Sequence, residues 1–414
     1  MSATTFLHGV EVDEVASATQ AIAFNPSGTV ALIGTAASAD EDAFPLNEPV
    51  LLNSQPTLAL KLGAEGTLLS AVQAIYAEGA GQVVVVRVAD APDPDTVMNN
   101  IIGTAAAKTG LYAFLGARAH IGVPPRTIIA PGYMSRLPTA TGGGPLANPI
   151  VTAALPLAKR LRGRVYIDAP STSDADALAA AELYGSDRAV IFYPNVMVWD
   201  TTTASYVQMP ASASMAGLTA YVHENLGFWY SPSNQVLQGV GGVSTPIDWA
   251  MSDAECEANV LNAVGITTII NAAKSAGLQY GGFRRWGNRN LATDTNWRFE
   301  AVRTTADMIY ESLDEVTLWA VDKPPGLQLL QDMTNRANDF FKYGKKTGFL
   351  VGGRCWLDAE LNPASQCAQG IWNWSIDPEA PAPMEHIIYT ASRNADYYTQ
   401  EVASLASMIS SSGS

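Results

Sequence analysis

The strongest constraint on the fold is a nearly continuous apolar run at residues 83–88, which only Arg87 interrupts. Runs of this kind are typical of strands that are buried on both faces, as in a parallel sheet covered by helices. Similar short runs alternate with helical patterns such as 67–78, and we predict strands at 29–34, 127–130, 165–168, 189–193 and 266–270. The alternation predicts an α/β domain with a mostly parallel sheet and helices on both faces.

The composition is that of a globular chain with an acidic surface. The 414 residues are expected to form two or three domains, and a hydrophobic content of 48% is ample for a core. A net charge of −15 argues against nucleic acid and against an anionic membrane surface as the main partner. No run of about 18 apolar residues is present, and the amino terminus lacks the basic and apolar regions of a signal peptide. We therefore expect folding in a cytoplasm, without membrane binding by the chain itself.

The cysteines and the acidic clusters indicate no metal or cofactor site. Cys256, Cys355 and Cys367 lack zinc spacing, so we expect buried thiols, with a Cys355–Cys367 bridge as the alternative. Acidic groups at 40–42 and 174–176 lack the glycine and the terminal glutamate of a calcium loop. We interpret both groups as acidic surface loops.

A stretch at residues 281–313 reverses the acidic character of the chain. Its five arginines and two tryptophans are Arg284, Arg285, Arg289, Arg298, Arg303, Trp286 and Trp297. The stretch continues into a pattern with one apolar stripe, which predicts a helix over about 299–320. Taken alone, this stretch is also consistent with an arginine-rich loop on an ordinary α/β domain.

Several segments resemble the pattern of contractile-tail sheath proteins, which form the outer sleeve of contractile phage tails and R-type pyocins. Residues 286–289 resemble the family's Trp-Gly-x-Arg-Thr turn, with Asn290 replacing the usual threonine. Arg303 stands alone on the following helix, where many members carry two arginines. Residues 210–217 and 227–234 resemble two further sheath segments in the same order and spacing. The resemblance therefore gives a structural motif of Trp286, Arg289, Trp297 and Arg303.

The resemblance implies a domain plan as well as a fold. It implies a subtilisin-like α/β core, then an α+β carboxy-terminal domain that faces an inner tube, and extended arms at both ends. We expect an arm strand at 1–20, the α/β part at 21–265, which could divide near 105, and the carboxy-terminal domain at 266–383. Residues 384–414 are expected to form a second arm and a frayed tail.

The resemblance also implies a mechanical function. Members of this family stack as hexameric rings around an inner tail tube, between a baseplate and a tail terminator. Contraction of the sheath drives the tube through a bacterial envelope, and no cofactor is needed because the free energy is stored in the packing of subunits. We therefore expect a structural virion protein that assembles in the bacterial cytoplasm. A non-contractile coat protein is the structural alternative.

Both ends of the chain are predicted to pair with neighbouring subunits. Residues 8–15 largely alternate apolar and acidic residues, which is the period of a strand that needs a sheet edge. Near the other end, two prolines precede a predicted strand at 385–390, an amphipathic segment at 396–405 and a serine-rich, frayed segment at 407–414. The candidate arm residues are Gly9, Val10, Val12, Ile387, Ile388 and Tyr389.

The second carboxy-terminal helix is predicted to contact the tube. We expect Asp322 to be its N-cap and strands at 348–354 and 371–376 to follow it. Lys345 and Lys346 are expected to lie past its last turn, where the helix dipole no longer accounts for cations; dipole complementation is the alternative. Because the resemblance implies a tube-facing helix in this domain, the candidate contacts to an acidic tube surface are Arg336, Lys342, Lys345 and Lys346.

A subtilisin-like serine hydrolase is the alternative from another functional class. Residues 212–216 resemble the Gly-Thr-Ser-Met-Ala nucleophile motif, but a serine nucleophile needs an imidazole and a carboxylate. His120 lacks the subtilase His-Gly-Thr setting, and His223 lies in the same predicted helix as Ser214. We predict no catalytic residue and expect Ser212 or Ser214 to cap a helix at 216–225.

Overall fold

The structure is a computed structural model, and it describes residues 26–200, 203–272 and 282–412. Its strands are β1 Val30–Thr35, β2 Pro49–Asn53, β3 Gln82–Val88, β4 Thr127–Ile129, β5 Arg164–Asp168, β6 Ala189–Phe192, β7 Val196–Asp200, β8 Ser205–Met209, β9 Gly242–Val243, β10 Ile266–Asn271, β11 Phe283–Trp286, β12 Cys355–Leu357 and β13 Trp374–Ile376. Its α-helices are α1 Pro56–Ala59, α2 Leu68–Ala77, α3 Pro94–Ile102, α4 Ala117–Ile121, α5 Pro149–Arg160, α6 Asp174–Ala181, α7 Ala211–Asn225, α8 Glu257–Ala263, α9 Glu300–Thr317, α10 Leu327–Thr347, α11 Ala364–Cys367 and α12 Asp396–Ser412. The predicted arm at 1–20, with Gly9, Val10 and Val12, lies outside the described residues.

The largest sheet confirms the predicted mostly parallel α/β architecture. Its eight strands have the order β11-β10-β6-β5-β4-β1-β3-β2. The inner pairings from β10/β6 to β1/β3 are parallel, whereas the edge pairs β2/β3 and β10/β11 are antiparallel. Strands β10 and β11 complete this sheet, although the expected boundary at residue 265 assigns them to the carboxy-terminal domain.

Helices cover both faces of the large sheet. Leu32 and Val85 point into the core formed with α2 and α7. Ile33 and Val86 point into the core formed with α3, α5 and α6. Because successive side chains of a strand point to opposite faces, burial on both faces favours an apolar residue at nearly every position. The exception, Arg87, is buried but donates a hydrogen bond to the Phe44 carbonyl at 2.7 Å. Burial on both faces explains the continuous valine run from which the strand was predicted.

A third core holds the carboxy-terminal elements together. Met308 of α9 packs with Phe340 of α10 and with Phe349. The small antiparallel sheet β12–β13 is attached to α10 by Asn338, whose side-chain amide donates to the Cys355 carbonyl and whose oxygen accepts from the Cys355 N–H, both at 2.8 Å. Helices α9 and α10 and the sheet β12–β13 therefore form one packed group.

Helix α10 begins later than predicted. Asp322 is not its N-cap, because the helix starts at Leu327, directly after Gly326. Asp322 instead adopts a left-handed conformation with a φ of 65°. The two prolines that follow it lack an N–H and disfavour a helical conformation in the preceding residue, so the helix cannot begin before them.

The two strands that follow α10 are shorter than predicted and displaced. The segment 348–354 contains no strand, and the ladder begins at Cys355 instead. Of the segment 371–376, only the last three residues pair in the ladder. The position of this ladder depends on the contact between Asn338 and Cys355, which a local pattern does not reveal.

The chain divides into two compact units between Pro383 and Met384. In the second unit, residues 385–390 form no strand among the described residues, so their pairing with a neighbour stays a prediction. The expectation that residues 407–414 are frayed is wrong for residues 407–412. Helix α12 continues the amphipathic segment beyond residue 405 and ends at Ser412.

The three cysteines are free thiols in this structure. Cys256 and Cys355 are buried as predicted, and Cys367 is half-buried. The alternative bridge between Cys355 and Cys367 is therefore not formed. No helix in the described part of the chain is both long and apolar enough to span a lipid bilayer.

Candidate functional site

Three buried arginines stand at the amino ends of three neighbouring strands. Arg126 precedes β4, Arg164 is the first residue of β5, and Arg188 precedes β6. Because these strands are adjacent and parallel, their amino ends meet at one edge of the sheet. This arginine edge concentrates positive charge in a protein that is acidic as a whole.

Helix α9 presents a stripe of acids to the arginine edge. Glu300, Asp307, Glu311 and Asp314 are separated by seven, four and three residues, which places them on one side of a helix. The first three are buried, with at most 6% of their surface exposed. Buried carboxylates are tolerated when they are paired and hydrogen-bonded, and the arginine edge provides those partners.

Two of the buried pairs lie at the centre of this contact. Arg188 binds Asp307 in a bidentate geometry, with Nη1–Oδ2 and Nη2–Oδ1 distances of 2.7 and 2.8 Å. Arg164 Nη1 donates to Glu300 Oε1 at 2.9 Å. Bidentate and charge-assisted hydrogen bonds fix orientation as well as adding energy, so these pairs set the angle at which α9 crosses the strands.

The remaining pairs extend the contact toward solvent. Glu311 is shared by the buried Arg126 and by the more exposed Arg118, whose Nη1 lies 3.0 Å from Glu311 Oε1. Arg162 pairs with Asp314 at 2.6 Å, near the far end of the acidic stripe. The stripe is thus occupied by arginines along its whole length.

Arg285 of β11 is fully buried and joins the same network. Its Nη2 pairs with Glu300, and its Nη1 donates to the hydroxyls of Tyr166 at 3.1 Å and Thr219 at 2.9 Å. Its guanidinium also lies 5.2 Å from the centre of the Phe192 ring, within cation–π range. Arg285 therefore connects the edge strand β11 with the central strands and with α9.

The electrostatics of Glu300 keep this network charged. Burial alone would raise the pKa of Glu300, but the positive charges of Arg285 and Arg164 outweigh that effect and lower the pKa to about 2. The carboxylate is therefore ionised at any pH near neutrality. Its ion pairs with both arginines persist under those conditions.

Arg303, one of the two arginines of the predicted structural motif, lies on α9 beside this network. The Arg303 guanidinium stacks on Trp297 at 4.2 Å from the ring centre. It also donates to Asp307 at 3.1 Å and to Asp187 at 3.4 Å. A single arginine thus links the start of α9 to the loop before β6, which supports a positioning role.

The remaining motif residues form the turn between the sheet and α9. Trp286 packs edge-to-face on Trp249, with ring centres 5.3 Å apart. Gly287 has a φ of 142°, and a Cβ atom at this position would lie 2.8 Å from the Thr267 Cα, so glycine is required. Arg289 forms a β-bridge with the residue that precedes α9. The turn therefore directs α9 toward the arginine edge.

The four predicted tube-contact cations fall into two groups. Arg336 stacks on Trp319, 4.5 Å from the ring centre, and so contributes to packing between α10 and the turn that follows α9. Lys342, Lys345 and Lys346 are exposed, and their spacing of three and one places them on one side of α10. Arg336 is also exposed, so the difference between the two groups is the aromatic partner of Arg336.

The expectation that Lys345 and Lys346 lie past the last turn is wrong. Helix α10 continues to Thr347 and ends at Gly348 in a left-handed conformation. The helix dipole therefore accounts for part of their placement, at about 0.3–1 kcal/mol each. Lys342 pairs with Asp339 at 2.9 Å, but both side chains are largely exposed, so the pair is weak.

Helix α7 is capped by an aspartate rather than by a serine. The helix begins at Ala211, so the predicted capping residues Ser212 and Ser214 lie within it. Asp168, at the end of β5, accepts hydrogen bonds from the Ser212 N–H at 2.7 Å and from its hydroxyl at 2.6 Å. The capping prediction failed because this partner is 44 residues away in sequence.

The geometry around α7 gives no support to a hydrolase. A catalytic triad places an imidazole between serine and carboxylate, whereas the Ser212 hydroxyl donates directly to Asp168. His223 is eleven residues further along α7, roughly 16 Å away at the helical rise. Burial, with the nearby charge of Arg164, lowers the pKa of His223 to about 3, so it is neutral.

The two acidic clusters stabilise local turns. Asp40 pairs with Lys61 at 2.9 Å and accepts a hydrogen bond from the Ala43 N–H at 3.2 Å. Asp176 accepts from the Ser173 hydroxyl at 2.8 Å at the start of α6. Within the residues that the structure covers, no group of three or more His, Cys, Asp or Glu side chains could hold a metal ion.

Neither the arginine edge nor its acidic partners were among the site residues predicted from the sequence. Arg126, Arg164 and Arg188 each lie at or next to the start of a predicted strand, and that repeated position was an available signal. The seven-four-three spacing of acids in the predicted helix was a second signal. Neither pattern reveals which arginine meets which acid, since the pairs join residues more than 100 positions apart.

Comparison with known proteins places the chain in a family. Sequence models for the phage tail sheath protein central domain and for the phage tail sheath carboxy-terminal domain match residues 103–291 and 292–392. A model for the domain III amino-terminal region of the tail sheath protein Gp18 matches residues 27–88. The three matches follow one another along most of the described chain.

Full-length relatives agree with these matches. The tail sheath protein of Escherichia phage P2 is 30% identical over 390 residues, which cover 92% of this chain and 93% of that protein. A prophage major tail sheath protein of Pseudomonas aeruginosa (strain UCBPP-PA14) is 32% identical over 375 residues, covering 90% of this chain and 92% of the relative.

A solved structure shares the fold. The helical sheath of the anti-feeding prophage in its contracted state has a TM-score of 0.67 at 18% identity, covering 94% of this chain and 100% of that chain. At this identity the likeness concerns the fold alone. Together with the relatives and the sequence models, it leads to one conclusion: the chain belongs to the contractile phage tail sheath family.

Proposed function

We propose that this protein is the repeating subunit of a contractile tail sheath in a phage-type virion. Subunits form rings of six that stack helically around an inner tail tube, between a baseplate and a terminator, after assembly in the bacterial cytoplasm. Contraction shortens the sheath and drives the tube through a bacterial envelope. The names of the relatives and the sixfold symmetrised anti-feeding prophage baseplate support this proposal. The subunit itself needs no cofactor, nucleic acid or membrane.

The observation that carries the proposal is an exposed apolar segment near the carboxy terminus. Ile387, Ile388 and Tyr389 are 59%, 74% and 90% exposed. Three consecutive large apolar residues on an unpaired segment are a ready template for pairing with another chain. In a sheath, a neighbouring copy covers this segment by adding it to a sheet edge.

The receiving site in this proposal is the small sheet β12–β13. It contains two strands, so among the described residues each of them has one edge without a neighbouring strand. Its attachment to α10 through Asn338 holds it in place for an incoming strand. We assign the arm strand at 1–20 of one copy and residues 385–390 of another copy to its edges.

The domain plan belongs to the same proposal. The α/β part supplies the outer body, the carboxy-terminal elements face the tube, and both ends act as arms. Lys342, Lys345 and Lys346 contact acidic groups on the tube surface. Arg336, which is exposed while its guanidinium stacks on Trp319, is the fourth proposed contact.

Deleting residues 2–18 tests the assembly proposal. All eight strands of the large sheet lie after residue 29, so the truncated chain is expected to remain folded, with unchanged far-ultraviolet circular dichroism. It is expected to elute as a monomer, whereas the full chain forms cylinders in negative-stain electron microscopy.

Two results would contradict this proposal. Normal sheaths built from the truncated chain would exclude the amino-terminal arm as a connector. Full-length sheaths that never shorten under any triggering condition would favour a static coat protein instead.

A further inference from the structure

Helix α12 is a 17-residue amphipathic helix that the proposed arm strand does not account for. The match to the sheath carboxy-terminal domain ends at residue 392, and α12 begins at Asp396. All of its residues are exposed. The helix is about 25 Å long at a rise of 1.5 Å per residue.

One side of α12 is apolar and the other is polar. Tyr398, Val402, Leu405 and Ile409 are spaced by four, three and four residues, which forms a single stripe along the helix. These four side chains are 48% to 71% exposed. The opposite side carries the small or polar residues Gln400, Ser407 and Ser411.

A helix of this composition needs a partner surface. Isolated helices of this length are marginal in water, and α12 contains five serines, which are only moderate helix formers. Most helical stability in proteins comes from packing an apolar face. The stripe therefore marks the side of α12 that is covered in the functional state.

The position of α12 in the chain, close to the proposed arm strand, indicates which partner it binds. Only residues 391–395 separate it from the proposed arm strand, and five residues span at most roughly 18 Å. When residues 385–390 pair with the sheet of another copy, the short connection at 391–395 keeps α12 close to the surface of that same copy. Continuity along the chain thus favours a second copy over any other partner.

The low charge of α12 also favours a second copy of this chain as its partner. Asp396 and Glu401 are the only charged residues of α12, so it lacks the cations proposed for the tube contact. Copies of a chain with a net charge of −15 repel one another, and a nearly uncharged apolar face is suited to overcoming that repulsion. Rings and helical arrays use contacts between different surfaces, so α12 meets the body of its neighbour rather than the neighbour's α12.

We propose that α12 is a docking helix whose face of Tyr398, Val402, Leu405 and Ile409 binds the body of a second copy of this chain. The inference rests on the proposed arm-mediated assembly and adds a second contact to it. The arm strand supplies main-chain hydrogen bonds, and α12 supplies apolar burial on the same neighbour.

Photo-crosslinking tests the proposal in sheaths of the full-length chain. A benzophenone amino acid replaces Leu405 in unlabelled protein, which is co-assembled with ¹⁵N-labelled protein of natural sequence. Mass spectrometry then separates light–heavy crosslinks, which join two copies, from crosslinks within one copy. We expect light–heavy crosslinks from position 405 to residues before 384, and at least about tenfold fewer from the same probe at Ser407 on the polar face.

A matched pair of variants gives a second readout. In assembled sheaths, amides of 396–412 are expected to exchange at least about tenfold more slowly than in the monomer. Val402→Asp with Leu405→Asp should abolish that protection, whereas Gln400→Asp with Ser407→Asp adds equal charge on the other side and should retain it.

The outcomes separate this proposal from the assembly proposal. If the natural chain forms no sheaths, the assembly proposal fails. If sheaths form but α12 stays unprotected, or if position 405 crosslinks within its own copy, to another α12 or to the tube, the docking proposal alone is overturned.

Discussion

At the scale of single residues, the most informative group is the Arg285 guanidinium. A fully buried arginine is costly unless its charge is matched and its donors are satisfied. Here Glu300 matches the charge, two hydroxyls accept hydrogen bonds from Nη1, and the Phe192 ring lies within cation–π range, whereas the buried Nε has no hydrogen-bond partner. Such a site discriminates strongly against any arrangement in which α9 is displaced from the sheet, because the displaced state leaves buried charges without partners.

Arg285→Met is expected to lower the free energy of unfolding by about 3–5 kcal/mol, because it leaves Glu300 buried with only part of its positive surroundings. Urea unfolding followed by tryptophan fluorescence at pH 7 measures the effect. The double variant Arg285→Met with Glu300→Gln should recover part of the loss, since it removes the uncompensated charge.

The control is Arg354→Met. Arg354 pairs with Asp377 at 2.9 Å, but the two side chains are 71% and 46% exposed. Exposed pairs contribute at most about 1 kcal/mol, so this variant should be nearly as stable as the natural chain. Equal losses in Arg285→Met and Arg354→Met would contradict the role assigned to burial.

At the scale of elements, the sequence predicts the strands with continuous apolar runs. It does not predict the ends of elements that are fixed by hydrogen bonds to distant residues. Residues 83–88 and 165–168 are buried on both faces, so their composition alone indicates strands. The start of α7 depends on Asp168 and that of β12 on Asn338, and both partners are distant in sequence. Local patterns record burial, whereas these boundaries are set by long-range hydrogen bonds.

The candidate sites also include some features that the sequence could predict and others that it could not. The signature turn at 286–289 could be recognised because its glycine and tryptophan satisfy local requirements of backbone and packing. The role of Arg303 could not be derived, since it depends on Asp187 in another element. The placement of Lys345 was misjudged by a few residues because helix ends are the least certain part of a sequence prediction.

The exposed lysines at the carboxy-terminal end of α10 are the proposed contacts to the tube. Lys342→Glu, Lys345→Glu and Lys346→Glu together reverse an exposed face without touching the buried side of the helix. Each exposed pair with the tube contributes only about 0–1 kcal/mol, but repetition along a tail makes the sum large. Co-expressed with the tube protein, the triple variant should form sheaths that electron microscopy shows to be empty.

The matched control reverses three exposed cations elsewhere, with Lys108→Glu, Lys159→Glu and Arg160→Glu. This variant carries the same change in net charge and should still assemble around tubes. Tube-filled tails at normal yield from the α10 variant would rule out the lysine face as the contact.

At the scale of the whole molecule, the described body and residues 384–412 differ in the interactions that each of them makes. The body combines two apolar layers on one sheet with a helix fixed by buried ion pairs. Moving α9 by one turn would separate each buried acid from its arginine, at a cost of several kcal/mol per pair. In contrast, residues 384–412 are exposed throughout, so their environment can change without breaking the body.

This difference predicts where a contracting sheath changes. Hydrogen exchange of α9 and of the strands β4, β5 and β6 should be the same in extended and contracted sheaths, because their ion pairs allow only one register. Exchange of residues 384–412 should differ between the two states, since in the proposed mechanism contraction rearranges the contacts between copies. Mass spectrometry of peptides from sheaths quenched before and after contraction measures both regions at once. A large change in α9, with none in 384–412, would mean that contraction deforms the subunit itself, and the buried pairs would then act as a switch rather than as a fixed connection.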